Sequence, residues 1–137
     1  MPGSSAASFS TLWRAYAEGR LERSLELIDP ECNVVMMDGH TYRGHDGLRE
    51  WLAEVRRRWK TLTVTYERVE EPHPGWVVGV GRVVGASTDG EYRLDRPLVC
   101  VGEFRDGRLV HGRTFEDAGD ALRYAREHVE AGPDPAA

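Results

Sequence analysis

Lys60 is the single lysine of the chain; the other basic residues are arginine, and we attach no binding role to that bias. No Cys-x-x-Cys pair and no Cys/His zinc spacing surrounds Cys32 or Cys100, so the plain reading is two reduced thiols, with a disulfide left open. Asp38-x-His40 is the one plausible metal-ligand pair, and without a helical His-x3-His partner no metal site is expected. A glycine-rich phosphate loop and a nucleophile elbow are both missing. The start, MPGSSAASFS, lacks a basic region followed by an apolar one, and nowhere do about 18 apolar residues run together. We therefore expect no export signal, no membrane span and a cytoplasmic location. A net charge of -5 argues against nucleic acid or an anionic membrane as partner.

What is present suits one globular domain. The 137 residues, 40% hydrophobic and 30% charged, suffice for a single core or for walls around one small pocket. We place disorder at 1–8, the domain at 9–130 and a loose tail at 131–137.

Phe9, Leu12, Trp13 and Tyr16 fall at i, i+3, i+4 and i+7, one face of a helix that Gly19 can close. Leu21, Leu25 and Ile28 continue helical spacing until Asp29-Pro30 breaks it. Asn33 to Asp38 reads as a strand with Val34, Met36 and Asp38 on one face. After a loop, Leu48, Trp51, Leu52, Val55 and Trp59 form the clearest helical stripe, with Asp46 near its positive N-terminus. Contiguous Arg56, Arg57 and Arg58 read as a solvated face with Glu54-Arg58 support.

Four strands follow: Leu62 to Val69, Trp76 to Ala86, Glu91 to Phe104 and Arg108 to Phe115. The turns between them carry Pro74-Gly75, Asp89-Gly90 and Asp106-Gly107. Pro97 must sit at an edge, a strand start or a bulge, because it has no N–H to give a ladder. Asp117 can cap a last helix carrying Ala121, Leu122 and Ala125. The order predicts an α+β fold, an antiparallel curved sheet wrapped round helices, with a conical cavity on its concave face.

The run DPECNVVMMDGHTYRGHDGLREWLAEV, followed by strands and closing with FRDGRLVHGRTFEDAGDAL, resembles the SnoaL-like branch of the nuclear transport factor two-like superfamily. The likeness implies a pocketed cone, often dimerised through its outer sheet face, and a frame that hosts isomerases, cyclases, epoxide hydrolases and non-catalytic domains. Matched residue by residue, the chemistry is missing. A proton-shuttling acid on the first strand falls on Met36, an oxyanion-donating tyrosine on Leu12, and a protonated acid on Cys100 or Val101, depending on turn type. The acid of the cyclases and epoxide hydrolases, on the last strand, falls on Thr114, and the hydrolases' arginine and acid two apart fall on Val80 and Arg82.

Alternation puts Arg82 inward with Val78, Val80 and Val84, against a glycine face of Gly79, Gly81 and Gly85. An inward guanidinium needs an acid, from the protein or from a ligand. The candidate catalytic acids are Asp38 and Glu116; the latter continues the face of Val110, Gly112 and Thr114. Trp13, Tyr16, Trp51 and Trp59 face the sheet as core or as ring-binding walls, Met36 with them, and Gly112 leaves room. His111 and Arg113 belong with Leu109 and Phe115 on the outer face, and outward Val99, Val101 and Leu109 suggest a homodimer. The expectation is a cofactor-free domain binding a small apolar or cyclic molecule with an acidic or carbonyl group, as an isomerase, cyclase or hydratase. The alternative is a non-catalytic ligand-binding or dimerisation module with a closed core.

Overall fold

In the computed structural model, which describes residues 5–131, three N-terminal helices line the concave face of a sheet and a fourth covers its other face. Helix α1 (Ser5–Ala17) buries Phe9, Leu12 and Ala15 and is closed by Gly19 at φ +76°. It begins at Ser5, so the disorder expected for 1–8 does not hold for 5–8; residues 1–4 lie outside the described range. Helix α2 (Leu21–Leu25) is a single turn, because the chain is already extended at Ile28.

Strand β1 (Ile28–Val35) therefore begins five residues before Asn33, where the sequence pattern places its start, and contains Pro30. The register with the last strand breaks between Ile28 and Asn33, and in that irregular stretch a residue without an N–H costs no ladder bond. β1 also stops at Val35, which leaves Met36 to Asp38 in the turn before a short strand β2 (Thr41–Arg43). Helix α3 (Gly44–Arg58) buries Leu48 and Leu52, each burial contributing about 1.5–3 kcal/mol. It runs directly into β3 (Trp59–His73), so Trp59 starts a strand rather than ending the helical stripe. Glu54 pairs with Arg57 at 2.7 Å and Arg58 at 3.4 Å, exposed bridges worth little.

β4 (Trp76–Ser87), β5 (Arg93–Arg105) and β6 (Arg108–Phe115) complete a sheet of order β2-β1-β6-β5-β4-β3. It is mixed, not antiparallel throughout: β1 and β6 run parallel, a pairing between distant strands that periodicity does not encode. Pro97 lies opposite Arg82 of β4 beyond the point where β6 ends at Val99↔Phe115, so its missing donor faces no strand. Asp106 and Gly107, at φ +53° and +77°, form the two-residue turn into β6. A bulge follows: Glu103 opposes His111 but Phe104 opposes Leu109, which makes Val110 the extra residue.

Helix α4 (Ala118–Ala131) starts at Asp117, whose Oδ1 accepts the Gly119 N–H at 3.1 Å, a cap worth about 1 kcal/mol. Its Ala121 and Ala125 pack on Val78, Val99 and Val101, with Trp76, Val80 and Phe115 at the margin. Ala131 ends α4, and the rest of the expected tail lies outside the described residues. Among the described residues no helix is long and apolar enough to cross a membrane.

Candidate functional site

Between the concave face and α1–α3 lies a cavity of about 380 Å³. A gradient of burial gives it direction. Phe9, Leu12, Ile28, Leu48, Leu98 and Cys100 form its depth, all under one-tenth exposed, whereas Met37, Asp38 and Arg58 stand exposed at the mouth. The narrow end is closed by Phe9, Val77, Cys100 and Phe104, against which Tyr66 packs. Tyr66 meets the Phe9 ring edge-on at 5.1 Å, and the Trp13 ring at 5.4 Å.

The polar groups in its depth are few and neutral, the charged Asp38, Glu54 and Arg58 belonging to the wall toward the mouth. Tyr16 stacks on Trp51 at 5.4 Å; burial pushes its phenol up to about 12, with Arg56 opposing, so it stays protonated at neutral pH. Its hydroxyl makes no hydrogen bond to the described residues. Burial likewise pushes the Cys100 thiol up to about 12 and the Tyr66 phenol beside it well above its ordinary range. The Tyr66 hydroxyl is fully buried, with the Cys100 thiol as the polar group beside it. Thr114 Oγ1 donates to the Val35 carbonyl at 3.3 Å and lies 4.0 Å from Met36 Sδ. Cys32 and Cys100 are both free and buried, in separate clusters.

Nine residues singled out in the sequence stand in the cavity wall: Trp13, Tyr16, Met36, Asp38, Trp51, Trp59, Cys100, Gly112 and Thr114. The turn into β6, with both residues at positive φ, decides between Cys100 and Val101: Cys100 faces the cavity and Val101 lies under α4. Leu12, Met36, Cys100 and Thr114, four of the positions where the resemblance implies catalytic groups, therefore line one space without a carboxylate among the four. Asp38 is on the turn, not on β1, and its Oδ1 accepts the His40 N–H at 2.9 Å.

Three expected residues lie elsewhere. Arg82 and Val80 project from the outer face with Val78 and Val84; Arg82 is exposed and paired with Asp95, an acid on the neighbouring β5. The inner face of β4 is the glycine face, where Val77 and Val83 accompany Gly79 in a concave surface crowded by aromatics. Glu116 follows the end of β6 and pairs with Arg96 at 3.0 Å in solvent. The dimer expectation loses its patch: Val99 and Val101 are buried under α4, and the bulge at Val110 turns Leu109 into the cavity. His111, Arg113 and Phe115 do face outward, gathered round Tyr124 of α4, with His111 Nε2 2.6 Å from its hydroxyl.

Sequence reasoning missed Val83, Tyr42, Glu54 and Arg58 as lining residues. Glu54 and Arg58 share the cavity side of α3 with Trp51 and Val55, a signal available in the i, i+3, i+4, i+7 spacing. Tyr42 sits on β2, a strand too short to show alternation.

Residues 9–112 match the pattern of the SnoaL-like domain family. No curated protein matches the sequence. Among solved structures, a nuclear transport factor two-like protein of Burkholderia thailandensis is similar at 18% identity and a TM-score of 0.77, over 90% of this chain and 98% of its own. TerC, co-crystallised with polyporic acid, is similar at 20% identity and 0.74, over 90% and 98%. A hypothetical protein of Catenulispora acidiphila with a ketosteroid isomerase-like fold, in complex with trimethylamine, is similar at 16% identity and 0.69, over 83% and 88%. With a match over most of its length, the chain belongs to the SnoaL-like domain family, and its α+β fold is that of the nuclear transport factor two-like structures it resembles.

Proposed function

We propose that this protein binds a small, mostly apolar ring compound carrying a carbonyl or similar acceptor, and orients it for chemistry that the cavity's depth does not itself perform with an acid. One observation carries the reading: an open cavity of about 380 Å³ walled largely by aromatics, methionine and aliphatic residues, in which Met36, Cys100 and Thr114, at three of the family's acidic positions, are neutral. Thioether and ring faces favour flat apolar ligands, and a few placed polar groups fix their orientation. Tyr16 is the orienting donor, since no described residue accepts its proton and its phenol stays neutral. An open cavity disfavours the closed-core module.

A titration of tryptophan fluorescence with 1-tetralone, a bicyclic ketone, tests this. Saturable quenching is expected, weakened about 5–10-fold in Tyr16→Phe by loss of one hydrogen bond. Absence of saturation up to the solubility of the ketone would sink the reading; equal affinity in Tyr16→Phe would remove the orienting role alone.

A second reading has its own support in Asp38, one of two carboxylates in the cavity wall with Glu54, and placed there beside Met36 and Met37. As a general base at the mouth it would make the protein an isomerase, cyclase or hydratase of the same ligand class. Loss of turnover without loss of binding in Asp38→Asn would favour that reading. Unchanged turnover would leave Asp38 with its turn-forming role alone.

A further inference from the structure

Five glycines stand in the strands that wrap the cavity: Gly79, Gly81 and Gly85 on β4, Gly102 on β5 and Gly112 on β6. Three are demanded by their neighbours and a fourth, Gly102, stands in tight contact with them. A Cβ on Gly79 would lie 2.8 Å from Phe9 Cζ and from Tyr66 Cδ1; on Gly81, 1.8 Å from the Thr65 carbonyl oxygen; on Gly85, 2.7 Å from that of Thr61. On Gly102 it would meet Leu109 Cδ1 at 3.0 Å and Phe104 Cε1 at 3.1 Å, so side chains already occupy that notch.

Gly112 is different. Its nearest neighbours to an added Cβ are Leu109 Cδ2 and Val34 Cγ2, both at 3.7 Å, and the Val101 carbonyl at 3.9 Å, which is ordinary contact. Its φ is not positive either. Neither packing nor backbone asks for glycine here, yet a glycine inside a strand loses chain entropy on folding and has no side chain to pack. Gly112 is buried, pairs in register with Val34 of β1 and Gly102 of β5, and lines the cavity beside Thr114. The missing side chain leaves bare backbone that another molecule can approach closely.

We propose that Gly112 is the specificity-determining position of the cavity: its lack of a side chain admits the far ring of a fused-ring carbonyl compound, where alanine or valine would restrict the site to a single ring. This rests on the binding reading above and names its substrate class more narrowly.

The test uses three neutral ketones of rising size, acetophenone, 1-tetralone and 9-fluorenone, titrated into wild type, Gly112→Ala and Gly112→Val with tryptophan fluorescence as readout. Wild type should bind 9-fluorenone at least as tightly as acetophenone. Gly112→Ala should melt at or above the wild-type temperature, keep acetophenone affinity within about twofold and weaken 9-fluorenone about tenfold, with Gly112→Val weaker still. A folded Gly112→Ala that binds all three ketones like wild type overturns the inference while leaving the binding reading intact. So does a Gly112→Ala that melts well below wild type, because glycine would then be a packing requirement. Wild type that binds none of the ketones removes the binding reading and this inference together.

Discussion

β4 presents two unlike surfaces to the two sides of one sheet, and they are the reverse of what residue type suggests. Its valine face, Val78 and Val80 continuing to Arg82 and Val84, is the outer one: α4 covers the first part, and the rest reaches solvent, where Arg82 pairs with Asp95. Its glycine-bearing face, with Val77 and Val83, is the inner one, pressed by Phe9 and Tyr66 at Gly79 and by Leu62 at Gly85. A curved sheet crowds its concave side, so the positions that lose their side chains are those facing the helices. The hydrophobic face is inward only where something must be buried there, and on the outer side α4 provides that burial too. The lesson is that sealed apolar surface and open apolar surface coexist on one sheet: the outer face is packed to closure where α4 covers it, and the inner face keeps a cavity of about 380 Å³.

The sharpest way to break this contrast is to charge the sealed side. Val101, 1% exposed beneath α4, should tolerate no carboxylate. Val101→Asp is expected to lose about 3–5 kcal/mol of stability in urea unfolding, through burial of an unpaired charge. A loss below about 1 kcal/mol would show that α4 is not a fixed cover.

A smaller effect should appear with pH. His111 is half-buried under Tyr124, and burial holds its pKa below the ordinary 6.5; Glu103 across the strand pulls it up, while His128 and Arg113 push it down. Because the folded pKa is depressed, the neutral ring's contribution is complete above the unfolded value and is lost as pH falls below about 6.5. Thermal melts should therefore fall more between pH 7 and pH 5 in wild type than in His111→Gln. Parallel curves would mean that His111 does not couple α4 to acid.

The smallest effect is assigned to the residue that sequence pattern made most prominent. Arg82→Ala should change stability by no more than about 0.5–1 kcal/mol, as for an exposed ion pair, and leave 1-tetralone affinity unchanged. A tenfold weaker titration in Arg82→Ala would put the guanidinium back in the site.

Much of the fold was readable because periodicity and turn chemistry are local. β6 runs from Arg108 to Phe115 as expected, and the Asp106-Gly107 turn and the Asp117 cap are where their residue types place them. Cavity-lining aromatics on α1 and α3 were equally legible, since helical spacing fixes which side chains share a face. What was not legible depended on partners distant in sequence. The phase of β4 required knowing which side α4 covers, and Leu109 required the bulge at Val110. Neither Asp95 as the partner of Arg82 nor Arg96 as the partner of Glu116 follows from alternation, because both pairs are set by strand register.

The chain's tryptophans divide between the two faces: Trp13, Trp51 and Trp59 line the cavity, whereas Trp76 packs beside α4, its ring 6.3 Å from that of His128. Their indole N–H signals in a nitrogen-15 spectrum therefore report on both sides of the sheet at once. Titration with 1-tetralone should shift the signals of Trp13, Trp51 and Trp59 along one saturation curve and leave Trp76 in place. Movement of Trp76 alone, or of none of the four, would contradict an open, ring-binding inner face.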